Sequence, residues 1–140
     1  MINITLNDLN ADNFYQTLLQ TIEDICDNYD LLNHFGTIST ANQQVVDYVL
    51  SNSSIFTINL FISIENDNLS FTYEWDNSLS DLFNRFPSPD NQCYEILSSL
   101  IDDVDYNVEN KNFTISFHVK PKFNLHRENI KQAQYKTLNL

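Results

Sequence analysis
Glycine is nearly missing from this sequence: Gly36 is the single one in 140 residues. A phosphate-cradling loop needs backbone that approaches an anion closely and adopts positive φ, which glycine permits cheaply. One glycine therefore excludes a Gly-rich nucleotide loop. Cysteine is scarce as well. Cys26 and Cys93 have no Cys-x-x-Cys spacing, which argues against a zinc ribbon or a disulfide framework and for reduced thiols in a cytoplasmic protein. No run of about 18 apolar residues occurs, so no membrane span is expected. The opening MINITLNDLN has neither a basic region nor an apolar core, so a signal peptide is not expected. His34, His118 and His126 are scattered, with no metal-ligand spacing to one another or to a cysteine. No Gly-x-Ser-x-Gly elbow exists to present a nucleophilic serine.

Basic residues are missing from most of the chain. Residues 1–110 hold eighteen Asp and Glu and one cation, Arg85, whereas residues 111–140 hold six Lys and Arg and one acid, Glu128. The body is thus −17 and the last thirty residues +5, which together give the net −12. Such a body repels nucleic-acid phosphates and anionic membranes and favours a basic protein partner.

What is present is patterned apolar residues. The length suits a single domain with a real core, and we expect it to span residues 1–121, with 122–140 as a basic tail. Phe56, Ile58, Leu60, Ile62 and Ile64 alternate with Ile55, Thr57, Asn59, Phe61 and Ser63. Period two puts one set on a buried face. Asn66-Asp67-Asn68 reads as a turn, because Asn and Asp tolerate left-handed backbone. Leu69, Phe71, Tyr73 and Trp75 answer on a second strand, so Ser54–Trp75 is expected to form one long hairpin.

Around it, Ile2, Ile4 and Leu6 predict a short first strand. Phe14, Leu18, Ile22, Ile25 and Tyr29 recur at helical spacing, predicting a helix to about Leu31 with Asn10 or Asp12 as its cap. A second helix is expected over Ile38–Leu50, capped by Thr37 or Ser39 after Gly36. Residues 76–92 read as a loop, with a short turn near Leu79–Phe83. Asp90 is the expected cap of a third helix carrying Tyr94, Leu97, Leu100 and Ile101. Val104, Tyr106 and Val108, then Phe113, Ile115, Phe117 and Val119, predict a second hairpin turning at Glu109-Asn110-Lys111. A helix from Arg127 to Leu138 is expected in the tail. Two hairpins and three helices predict an α+β fold: a two-layer α/β sandwich whose mixed, mainly antiparallel sheet carries the helices on one face. Asp102, Asp103 and Asp105 are read as a solvated helix end rather than a metal site.

The element order resembles the histidine-kinase-like ATPase superfamily, and its anti-sigma-factor serine kinases in particular. The likeness covers about Phe14 to Val119. It rests on the helix before the hairpin, on Asn68-Leu69-Ser70-Phe71-Thr72-Tyr73-Glu74, and on Leu97-Ser98-Ser99-Leu100-Ile101-Asp102-Asp103-Val104 leading into a terminal hairpin. In that family the helix before the hairpin carries a Glu and, four residues later, a Mg²⁺-binding Asn. The matching positions here are Gln44 and Tyr48. The family closes its second hairpin strand with an Asp for the adenine amino group, followed by glycines. Trp75, Asn77 and Leu79 stand there. Its third helix opens on Gly-x-Gly over the phosphates, where this chain has Asn91-Gln92-Cys93.

Each departure removes a chemical capability. An amide such as Gln44 accepts no proton near neutral pH. Tyr48 is no substitute for a compact amide-oxygen ligand of Mg²⁺. Trp75 replaces a carboxylate acceptor with apolar bulk. The resemblance thus implies the fold without its ATP, Mg²⁺ or any other cofactor, and without catalysis. The expected role is a cytoplasmic, anti-sigma-factor-like pseudo-kinase that works by protein binding, with a sigma factor or its antagonist as partner and with no nucleic acid or membrane. Two readings stand beside it: an active serine kinase or ATPase with an atypical pocket, and an acidic nucleic-acid mimic. For the basic tail, packing on the acidic body is expected.

Overall fold
In a computed structural model, which describes residues 1–123, the chain is α+β. The expected helix from Arg127 to Leu138 and nearly all of the basic tail lie outside the described residues. Five strands, β1 (Ile2–Leu9), β2 (Ile58–Glu65), β3 (Asn68–Trp75), β4 (Asp103–Asn107) and β5 (Asn112–His118), form one sheet in the order β1-β2-β3-β5-β4. Every pairing is antiparallel, so the expected mixed sheet is corrected to a wholly antiparallel one. The helices are α1 (Phe14–Asn28), α2 (Phe35–Asn52), the short α3 (Ser80–Asn84) and α4 (Gln92–Leu100). That is one more than the three expected among the described residues.

The central hairpin follows its alternation. Asn66, with φ 54°, and Asp67 make the two-residue turn, and Glu65 pairs with Asn68. Ile58, Leu60, Ile62 and Ile64 oppose Trp75, Tyr73, Phe71 and Leu69, and all eight are buried. The register carries the same face outward to Ile2, Ile4 and Leu6 on β1 and to Phe113, Ile115 and Phe117 on β5. These side chains join Phe14, Leu18, Ile22 and Ile25 of α1 and Ile38, Ala41, Val45 and Val49 of α2 in one core. The helices therefore cover one face, an arrangement compatible with a two-layer sandwich. The opposite face carries Thr5, Phe61, Thr72 and Thr114 in one cross-strand row, with Thr72 and Thr114 hydroxyls 2.8 Å apart.

Local boundaries differ from expectation for identifiable reasons. Strand β2 starts at Ile58, and Ile55 is 85% exposed. No side chain caps α1. The Asn10 side chain accepts from Asp12 N–H, and its carbonyl receives Phe14 N–H at 2.9 Å. The helix stops at Asn28, before Asp30 turns left-handed at φ 60°. Helix α2 begins at Phe35, ahead of both expected caps, so Gly36 lies inside its first turn. Its φ is not positive, and nothing stands within 4 Å of where a Cβ would be. The glycine only loosens the unfolded chain, so Gly36→Ala is expected to raise stability by about 0.5–1 kcal/mol in urea denaturation. A destabilised alanine variant would show that the position needs glycine after all. The cap of α4 is Asn91, not Asp90.

The start of the tail does touch the body. Lys122 pairs with Asp30 at 3.1 Å, its N–H reaches the Tyr29 carbonyl at 2.9 Å, and Phe123 lies 5.7 Å from the Tyr29 ring. Both charged partners are largely exposed, so this ion pair contributes little.

Candidate functional site
The resemblance places nucleotide recognition between α2, the end of β3, the chain after it and the start of α4. The chain turns away from β3 at Asp76, whose Oδ1 accepts the Ser78 N–H at 3.0 Å and the Ser78 hydroxyl. A 3-10 turn over Asn77–Leu79 follows, then α3. Five residues are too few for an independent helix. Its Leu82 and Phe83 carbonyls accept the Arg85 and Phe86 N–H groups at 3.2 Å, and two tyrosines from elsewhere in the fold add a second donor to each. Tyr48 of α2 donates its hydroxyl to the Leu82 carbonyl at 2.6 Å, and Tyr106 of β4 donates to the Phe83 carbonyl. The two hydroxyls thereby tie the short helix to α2 and to the sheet.

Helix α3 carries Phe83 beneath Trp75. The two rings stack at 4.4 Å and 25°. Phe86 lies 4.7 Å from Tyr48, 5.3 Å from Tyr94 and 5.8 Å from Phe113. Phe113 in turn lies 5.5 Å from Phe83 and stacks on Tyr106 at 5.2 Å. Phe83, Phe86 and Phe113 are fully buried, and Trp75 is only 4% exposed. A continuous aromatic cluster thus runs from α2 to the sheet. One polar group is stranded in it: Trp75 Nε1 is buried with no acceptor among the described residues.

The seven positions singled out from sequence divide into two groups. Tyr48 and Trp75 meet through Phe83. Leu79 is buried in the same core. Asn91 joins through its side chain: Nδ2 donates to the Phe86 carbonyl at 3.1 Å, while Oδ1 caps α4 by accepting from Cys93 N–H at 3.0 Å and Tyr94 N–H at 3.4 Å. Cys93 is half-buried beside them. Gln44 and Asn77 do not join. Gln44 turns its amide back to the Thr40 carbonyl of its own helix at 3.3 Å, and Asn77 is exposed.

The electrostatics favour neutral groups. Burial pushes the Tyr48 phenol up; Arg85 nearby pulls it down and Cys93 adds to the rise. Burial and then Asp47 raise the Cys93 thiol. Burial also raises Tyr106, helped by Tyr48 and Tyr94, and lifts Tyr73 well above its ordinary value. Every one of these shifts holds the proton on, so none of these side chains is poised as a base or nucleophile at neutral pH. Among the described residues no three His, Cys, Asp or Glu converge as metal ligands. Asp102 instead accepts the His118 N–H at 2.7 Å, and Asp103 accepts the Val104 N–H at 2.9 Å.

Phe83, Phe86, Tyr106 and Phe113 were not recognised as site residues from sequence. The available signal was Leu82-Phe83-Asn84-Arg85-Phe86 inside an otherwise polar loop, where apolar residues three and four apart predict a buried turn. An open groove of ≈610 Å³ lies at the other end of β3, lined by Asp30–His34 and His118–Lys120. No protein-family model matches the chain, and no curated protein matches it.

Proposed function
We propose that this chain is a nucleotide-free, catalytically inactive relative of the histidine-kinase-like ATPases. It acts as a cytoplasmic regulatory module by binding protein, and its partner is a sigma factor or the antagonist of one. The observation that carries this reading is the stack of Trp75 on Phe83, closed off by Tyr48 and Phe86. In the resembling family this region is where adenine and Mg²⁺ are held. A planar base has no room where an indole already lies buried against a phenyl ring. The raised phenol and thiol support the same reading, since neither offers the charged ligand that Mg²⁺ prefers.

Isothermal titration with ATP and ADP in the presence of Mg²⁺ tests the proposal. No saturable heat is expected up to millimolar nucleotide. Micromolar binding would end the pseudo-enzyme reading. Phosphate transfer to a candidate antagonist protein would replace it with the active-kinase reading.

A further inference from the structure
The two edges of the sheet are built differently. Strand β4, at one edge, is five residues long, and Asp103 and Asp105 lie within it, with Asp102 and Glu109 flanking. Short length and charge are the usual protection of an open edge against strand addition. Strand β1, at the other edge, has eight residues, and Ile2–Asn7 contains no charge and no proline. Its inward side chains Ile2, Ile4 and Leu6 are already buried under the helices. Its backbone pairs with β2 on one side only, and among the described residues its outer edge has no hydrogen-bond partner.

Carboxylates stand near both ends of β1. Asp8 sits at the bulge where β1 ends, left-handed at φ 58°, and Asp12 follows in the next turn. At the start of the strand, Ile2 pairs with Ile64, so Glu65 and Asp67 of the hairpin turn lie at that end of the sheet, one strand in from the bare edge. The two acidic ends are separated by the length of the strand, about 20–25 Å. We infer that β1 takes up an extended segment of a protein partner as a sixth strand, and that this segment is uncharged over about six residues with Lys or Arg on both flanks. Backbone hydrogen bonds supply the affinity, and the flanking charges supply orientation and selectivity. A second copy of this chain is the poorer occupant, because pairing two β1 edges brings together two bodies of net charge −17, as counted over residues 1–110. The inference deepens the protein-binding reading and rests on it, but nucleotide and peptide titrations fail independently of each other.

The test uses the full chain and an acetylated, amidated peptide of alternating threonine and valine with two lysines at each end. Binding is followed by fluorescence anisotropy, and its location by amide hydrogen exchange. The expected result is saturable binding, slowed exchange at β1 amides but not at β4, and about a tenfold loss of affinity in half-molar salt. The paired variants Asp8→Asn/Asp12→Asn and Glu65→Gln/Asp67→Asn are each expected to bind about fivefold more weakly. Asparagine at position 8 tolerates the left-handed backbone, so folding is not at stake there. The inference is overturned by absence of binding at millimolar peptide, by equal binding of a glutamate-flanked peptide, or by protection that appears away from β1. Protection of β1 that grows with protein concentration in the absence of peptide would assign the edge to a second copy instead.

Discussion
Trp75→Ala is expected to lose about 3–5 kcal/mol of stability, the range for truncating a large aromatic in a packed core. The reason is geometric. The indole is stacked on Phe83 at 4.4 Å, with the Phe113 and Tyr106 rings at 6.1 and 6.2 Å, so its removal leaves a cavity among three rings that are themselves held by other neighbours. Phe83 in turn belongs to a five-residue helix that has no stability of its own. In urea the unfolding midpoint is expected to fall by roughly 2 M, given slopes of about 1–3 kcal/mol/M for small domains. Indole added at millimolar concentration is expected to recover part of the loss, because a ligand that binds only the folded state stabilises it by mass action. Trp75→Phe is expected to cost much less than the alanine change, since it keeps a ring in place and removes the unpartnered Nε1–H. A loss below about 1 kcal/mol for the alanine variant would mean that the cluster does not depend on Trp75.

Four strands were legible because period two survives in them and each buries one face; β4 alternates in sequence but buries none of its residues, and the expected Val108 falls beyond its end at Asn107. Phe71, Tyr73, Phe113 and Ile115 lie on the core face where alternation puts them. Strand order was not legible. Alternation assigns a face but no neighbour, and β5 enters between β3 and β4 although it is the last strand among the described residues. Helix α3 was legible only as a short turn, since one turn and a half shows no period and its stability comes from Tyr48 and Tyr106, both distant in sequence. Gly36 was expected to lie ahead of the second helix and falls inside it. Glycine often breaks a helix, but its φ here is an ordinary negative one inside α2. For the candidate site, position and chemistry parted. Trp75 and Tyr48 could be singled out one at a time, but their shared partners Phe83 and Phe86 sit in a segment whose prolines, Pro87 and Pro89, mark it as loop.

Such a buried aromatic floor also needs a device that fixes how α2 lies on the sheet, and Asn42 with Tyr73 supplies one. Asn42 is fully buried on α2; its Nδ2 donates to the Ile38 carbonyl at 2.9 Å and its Oδ1 accepts the Tyr73 hydroxyl. Tyr73 is fully buried on β3, stacked on Phe113 at 5.1 Å and edge-on to Phe14 at 6.4 Å. Both groups are fully buried, so deleting one strands the other. Asn42→Leu is expected to cost about 1–3 kcal/mol by orphaning the hydroxyl, and Tyr73→Phe a similar amount by orphaning the amide oxygen. The double variant removes both polar groups together. Its cost is expected to fall short of the sum of the single changes by about 1–2 kcal/mol, the coupling typical of contacting buried partners. Equilibrium urea unfolding of the four proteins closes the cycle. Strict additivity would mean that the bond does not join α2 to β3 and that apolar packing alone sets the angle between them.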